Sequence, residues 1–449
     1  MDYLISRYNT QNAQDAVIKE RATCKNPPLQ IFWQDDGGID EDLDNMFAQP
    51  KVQRGNITII SPELQEKYGN ISIFVYETLR QDVGEELENK MRTIYAQRNT
   101  TDSANVHADI AIIDLFRSFP GRTDDSTKAD IFVVPYAAAS HCHSKPTGVW
   151  MAQCKHIPQS QIQEGVFDRL NHYQGNEKRH LFLNVINYGN SNPAMRSRPL
   201  SLTIGPKYTS DIIVPYLNSL PSFQPSVIIN RGEEWWTRPR TYSMTYFFGI
   251  SNSRMRNSPR IWRRHFMEEV QHNWPNTLGG LPYAIRVMSQ GKKPPPRFFT
   301  HMYEDSIFCP TLPGDTPPQK RFFDVILMGC IPVVLAFESQ VEGKNVTSWH
   351  QPGGMQVEQS IPWAKGSGSI DPLNEIDYRS FVVEVKGGVE NVLPTIEALM
   401  QNYTEIRMLQ LNLMKYAPLF SYGMGRDSHK YPDAFSKILE SLRFYLARL

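Results

Sequence analysis

The stretch Ser306 to Leu335, SIFCPTLPGDTPPQKRFFDVILMGCIPVVL, decides the fold. SIFCPTL is an apolar run of strand length, and CIPVVL is a second, of the kind buried on both faces of a parallel sheet. Between them lies a helix start. Thr316 suits the N-cap, Pro317 the first helical position where a missing N–H costs nothing, and Gln319 completes a T-x-x-Q capping box. The helix is expected to begin at Thr316 and to close at Gly329, a residue suited to the left-handed conformation. The unit reads as strand, helix, parallel strand. Gly314 lets the backbone approach a ligand, and the helix N–H groups behind it favour a phosphate or diphosphate. Arg321 and Asp324 share one helical face at i, i+3. A guanidinium can hold phosphate and a carboxylate can take the two hydroxyls of a ribose, so the segment reads as a nucleotide-sugar site. Read as an exposed pair, the two side chains are expected to matter to the ligand and little to stability.

The same alternation runs along most of the chain. ISIFVY, ADIFVVPY, HLFLNVI and DIIVPY recur between Ile71 and Pro215, and SVII, SMTYFFGI, SIFCPTL, CIPVVLAF and SFVVEV between Ser226 and Val385, with helical stretches between them. This predicts an α/β fold of two Rossmann-like lobes facing across a cleft, joined near residues 216–225. The expected division is a stem or wrapping segment over 1–69, a first lobe over 70–220, a second over 221–430 and a C-terminal helix over 431–449. Within the stem, Asp40 and Asp42 form a D-x-D that stands far from any strand and reads as a solvated acidic loop.

PGDTPPQKRFFDVILMGCIPVV resembles the donor-site segment of the exostosin-like glycosyltransferases, glycosyltransferase family 47. Gly314, Asp315, Thr316, Arg321, Asp324, Gly329, Cys330, Ile331, Pro332 and Val333 fall on the family pattern. The resemblance extends through IFVYE (Ile73 to Glu77), RSFPGRTDDSTKADIFVVPY (Arg117 to Tyr136), SDIIVP (Ser210 to Pro215), TYFFGISNSRMRNSPRIWRR (Thr245 to Arg264) and DAF (Asp433 to Phe435). It implies a GT-B type fold whose last helix crosses back onto the first lobe. It also implies an inverting transferase that moves sugar from a nucleotide-sugar, a UDP-sugar by expectation, to a glycan or glycoprotein acceptor. Gly314, Asp315, Thr316, Arg321 and Asp324 would bind the donor, with Arg254 and Arg256 of the arginine-rich loop as a second clamp. Family members are Golgi proteins with an N-terminal membrane anchor, so the chain is expected to be a luminal portion lacking that anchor, with a homo- or heterodimer as the expected assembly.

Inversion needs a general base, for which His141, His143 and His180 are the candidates. Arg179 before His180, and Asn187, stand where many relatives carry acidic residues. That departure keeps open a second reading, a non-catalytic partner that stabilises an active paralogue. A phosphorylase would need a lysine in a pyridoxal context and an epimerase a G-x-G-x-x-G after its first strand; neither is present.

With 449 residues, 40% hydrophobic, the chain exceeds one core and suggests two or three domains. Its 47 basic and 47 acidic residues cancel to a formal charge of +0, which gives no global attraction to nucleic acid. There is no run of about twenty apolar residues of the kind that spans a bilayer, and the first thirty residues hold no signal core. N-x-[ST] sequons occur at Asn56, Asn70, Asn99, Asn345 and Asn402, acceptors that have meaning only in a secretory compartment. Of the five cysteines, Cys309 and Cys330 sit on apolar strands and read as buried thiols, whereas Cys142 and Cys154 flank a short loop and read as a disulfide. His141, His143 and His156 beside those cysteines invite a zinc reading, but the spacing lacks the usual ligand geometry and no metal is expected. Arg260, Arg263 and Arg264 read as a solvated helix face.

Overall fold

In the computed structural model the apolar runs form two five-stranded sheets in which every pairing is parallel. The structure describes residues 71–77, 108–136, 166–184, 200–203, 211–218, 221–249, 261–288, 296–312, 320–336, 340–341, 344–345, 361–368, 370–424 and 427–449. The first sheet takes its strands in sequence order: β1 (Ile73–Val75), β2 (Ile131–Val134), β3 (His180–Asn184), β4 (Leu200–Thr203) and β5 (Asp211–Ile213). The second consists of β6 (Tyr242–Gly249), β7 (Tyr283–Met288), β8 (Ser306–Pro310), β9 (Ile331–Ala336) and, after a short antiparallel pair β10 (Gln340–Val341) and β11 (Lys344–Asn345), β12 (Val383–Lys386). Its order is β12-β9-β8-β6-β7. Since β7 and β8 flank β6 on opposite sides, the winding reverses between β6 and β8, and a crevice at the C-terminal ends of those strands is where open parallel sheets bind ligands.

Short helices complete the layers: α1 (Ala108–Arg117), α2 (Pro225–Ile229), α3 (Glu233–Thr237), α4 (Ile261–Asn273), α5 (Pro296–Glu304), α6 (Lys320–Leu327), α7 (Val392–Met400), α8 (Tyr403–Tyr416) and α9 (Ala434–Leu446). Two of them begin just past the reversal, α4 following β6 and α6 following β8. At the far end of α6, Gly329 adopts φ +72, and a Cβ there would come within 2.9 Å of Trp235. The left-handed turn and the tight packing both require glycine.

The last helix joins the lobes. Asp433 caps α9 through the Ser436 N–H at 2.9 Å and accepts a second bond from the Gly423 N–H at 2.7 Å. Phe435 then packs edge-on against Phe116 of α1 at 4.9 Å, while Trp363 Nε1 donates to Ser441 Oγ at 3.0 Å. The crossing expected from the family resemblance is therefore present. Among the described residues no helix is long and apolar enough to cross a membrane.

Three expectations are corrected. SVII is not a strand, because Pro225 sits at a first helical position and the segment winds into α2. Strands β4 and β7 went unread: LSLT is short, and YAIRVM carries Arg286 within its apolar run. Cys309 and Cys330 are not separate thiols but a disulfide with Cα atoms 5.8 Å apart. Parallel pairing of Phe308 with Ile331 and Cys309 with Pro332 brings the residue before β9 diagonally against β8, within bridging distance. The bridge spans 21 positions and encloses all of α6.

A closed loop of that length is expected to contribute about 3 kcal/mol by restricting the unfolded chain. Urea denaturation of Cys309→Ser/Cys330→Ser should show that loss relative to wild type, and unfolding wild type in dithiothreitol should reproduce it. Unchanged midpoints in both would show the thiols unbridged.

Candidate active site

At the reversal of the second sheet, α6 presents Arg321 in its first turn, with the helix dipole behind it. The guanidinium lies 5.4 Å from the ring centre of Tyr246 on β6 and interacts with the phenol of Tyr303 on α5. Its Nη1 is buried and has no hydrogen-bond partner among the described residues. The buried hydroxyl of Tyr246 is in the same condition: Arg263 and Arg321 stand near it without closing a hydrogen bond of good geometry. Burial raises the pKa of Tyr246 and pushes Tyr303 up to about 12, with Arg321 pulling both back, so both phenols stay neutral donors at physiological pH. Two orphaned buried polar atoms side by side carry a desolvation cost that an anionic ligand would remove.

Asp324 occupies the next turn. It does not form the isolated pair with Arg321 that its spacing suggested. Lys320 Nζ reaches both of its oxygens, at 2.7 and 2.8 Å, and Asn218 Nδ2 donates to Oδ1. Asn218 lies five positions past the end of β5, and its neighbour Tyr216 packs against Phe323 of α6 at 5.9 Å. The segment just past the C-terminal end of β5 thus abuts α6 beside the second sheet. Asp324 is the pivot of that junction, which its i, i+3 spacing alone did not reveal.

Arg263 is a second correction. It is 8% exposed, in the first turn of α4, and faces Tyr246 rather than water. Arg264 keeps the expected outward position, 3.7 Å from Glu268. Tyr246, Tyr303 and Arg263 are the residues that sequence reasoning missed. The available signal was a tyrosine inside an otherwise apolar central strand, SMTYFFGI, whose hydroxyl must find a partner when buried.

His180 is fully buried at the start of β3, the end of the sheet opposite the strands' C-terminal edge. Its Nδ1 lies 2.8 Å from the Asn176 carbonyl, which can only accept, so Nδ1 carries the hydrogen and Nε2 accepts from Tyr76 Oη at 2.8 Å. Tyr76 in turn accepts from the His172 N–H at 3.2 Å, and the imidazole stacks on Phe132 at 4.8 Å. Both nitrogens are engaged. Arg179 beside it donates to the carbonyls of Ala129 and Asp130, so this departure from the family pattern serves the turn before β2. Gly314, Asp315, Thr316, Arg254, Arg256, Arg260, His141, His143, Asn187, Cys142, Cys154, Asp40 and Asp42 lie outside the described residues.

The chain matches the Exostosin GT47 domain over residues 68–388. It belongs to the exostosin GT47 family. That family is built on the two-lobed GT-B architecture, in keeping with the two parallel sheets described above. Similar proteins include "Probable xyloglucan galactosyltransferase GT13" of Arabidopsis thaliana, 33% identical over 100 residues, covering 21% of this chain and 20% of that protein. Another is "Probable xyloglucan galactosyltransferase GT19" of the same plant, 45% identical over 67 residues, or 15% of this chain and 14% of that one. The aligned part spans a fifth or less of either relative. Both of these similar proteins bear the name of a galactosyltransferase.

Two predictions follow from the geometry of these residues. Arg321→Met removes a guanidinium whose charge is favoured by the Tyr303 phenol and the nearby Asp324 carboxylate although Nη1 stays unbonded, so the ligand-free protein should lose only about 1 kcal/mol, while UDP affinity measured by calorimetric titration falls by about 1.5–3 kcal/mol. A large loss of stability with unchanged UDP affinity would make Arg321 structural.

Burial holds the His180 pKa down to about 4. A group kept neutral in the fold contributes stability that is complete above the unfolded value of 6.5 and is lost as pH falls toward 4. His429, also lowered to about 4 by burial, acts in the same sense. Asp433, raised to about 6, acts oppositely, its burden easing as it gains a proton. His180→Asn should flatten the pH dependence of urea stability between pH 7 and 4.5 by roughly 2 kcal/mol. An identical slope in the variant would contradict the assignment.

Proposed function

We propose that this protein is an inverting glycosyltransferase that takes a UDP-sugar, with galactose the favoured sugar, and transfers it to a glycan or glycoprotein hydroxyl in the Golgi lumen. The observation that carries this reading is the buried Arg321 Nη1, orphaned beside the orphaned Tyr246 hydroxyl at the reversal of a parallel sheet. A diphosphate supplies the negative charge and acceptor oxygens that both atoms lack. Galactose is favoured because two similar proteins bear the name xyloglucan galactosyltransferase. The Cys309–Cys330 bridge supports an oxidising compartment, as expected of a secretory lumen.

In this mechanism Arg321, Arg263 and the first turn of α6 stabilise the diphosphate as negative charge builds on it during departure, fixed in place before the reaction begins. Asp324 takes the ribose hydroxyls while Lys320 and Asn218 hold its carboxylate in orientation. An acceptor hydroxyl enters from the first lobe and loses its proton to a base on the opposite face of the sugar. With both His180 nitrogens engaged, His141 and His143 become the candidates for that base. Gly314, Asp315, Thr316, Arg254 and Arg256 complete the donor cradle. The reading as a non-catalytic partner is weakened by Arg179, whose hydrogen bonds serve the turn before β2 rather than an acceptor site.

Because arginines and helix N–H groups neutralise the leaving group in this scheme, transfer should not require a divalent ion. Purified protein incubated with a panel of UDP-sugars and acceptor oligosaccharides should release UDP fastest with UDP-galactose, at equal rates with and without EDTA. Loss of transfer in EDTA and its return with manganese would overturn metal independence. Absence of UDP release with every donor would overturn the enzyme reading.

A further inference from the structure

Asn402 sits where two helices meet, after α7 and before α8, and begins the sequon Asn402-Tyr403-Thr404. Its backbone N–H is bonded to Leu399 O at 2.8 Å, and its side-chain Oδ1 accepts from the Glu405 N–H at 3.2 Å, capping α8. The residue also offers its amide nitrogen. Nδ2 donates one hydrogen to Glu405 Oε2 at 3.0 Å and has a second to lose. All five residues from Gln401 to Glu405 are exposed, so the whole sequon lies on the surface. Among them Tyr403 is 64% exposed, a large aromatic residue left mostly open to water.

We propose that Asn402 carries an N-linked glycan, a modification that rests on the secretory location argued above. In the transfer, Nδ2 displaces the diphosphate of a lipid-diphosphate-linked oligosaccharide. A bond forms from Nδ2 to the sugar C1, the C1–oxygen bond to diphosphate breaks, and one Nδ2 hydrogen leaves as a proton. The linkage consumes neither the Oδ1 lone pair that caps α8 nor the remaining Nδ2 hydrogen. Asn402 therefore serves as cap and as glycan attachment at once, and folding after modification is undisturbed.

The test uses the full chain expressed in a secretory host. Peptides that span each sequon are analysed by mass spectrometry before and after removal of N-glycans by an amidase, which leaves aspartate at formerly occupied sites. The expected result is occupancy at Asn402 in most molecules, and a gel mobility gain of one glycan in both Thr404→Ala and Asn402→Asp. Both variants keep a capping oxygen at 402, so they should fold and melt cooperatively, which separates a lost glycan from a lost cap. An unmodified Asn402 peptide alongside glycan at Asn56, Asn70, Asn99 or Asn345 overturns this proposal and leaves the secretory reading standing. Absence of glycan at every sequon overturns both.

Discussion

A guanidinium that the fold encloses between two phenols, with one of its nitrogens left unbonded, governs the second lobe. Arg321 is held there from two directions. The ring of Tyr246 and the phenol of Tyr303 hold the guanidinium from the sheet side, and the packed Phe322 and Phe323 that follow it fix the helix against the core. Two polar atoms, Arg321 Nη1 and the Tyr246 hydroxyl, are left orphaned where buried polar groups are otherwise nearly always satisfied.

The opposite end of the same helix shows how rigidity is supplied. Arg231 donates to the Leu327 carbonyl and Arg240 to the Gly329 carbonyl, so the unsatisfied C-terminal carbonyls of α6 and its closing turn meet guanidiniums. Arg231 and Arg238 each lie 4.1 Å from the ring centre of Trp235. Burial lowers the pKa of Arg240 to about 9, still high enough to keep its charge at neutral pH. Together with the Cys309–Cys330 bridge, these contacts fix the tail of the helix whose first turn carries Arg321.

Much of this was legible in the sequence because helix signals and strand runs are local. The alternation of apolar runs foretold two parallel sheets, and Gly329 foretold a left-handed turn. What escaped reading depends on contacts between residues far apart in sequence. The Cys309–Cys330 bridge follows from strand register, which no local pattern encodes. Arg263 turned inward because Tyr246 waits beneath it, although an arginine on an amphipathic helix ordinarily faces water. The Lys320 and Asn218 contacts of Asp324 required knowing that the linker after β5 folds against α6. His180 looked chemical in isolation and proved to be fastened at both nitrogens, by the Asn176 carbonyl four residues upstream and by Tyr76, 104 positions away, which itself accepts from the His172 N–H.

The placement of α9 bears on how the chain matures as it is made. The first lobe emerges from the ribosome well before its partner does, since Phe116 and Phe119 of that lobe pack on Phe435, far downstream in the chain. Until Phe435 has been made, those two rings present an uncovered apolar surface to the cellular surroundings. A chain broken off before Phe435 would leave its opening lobe unsealed and in need of a folding helper.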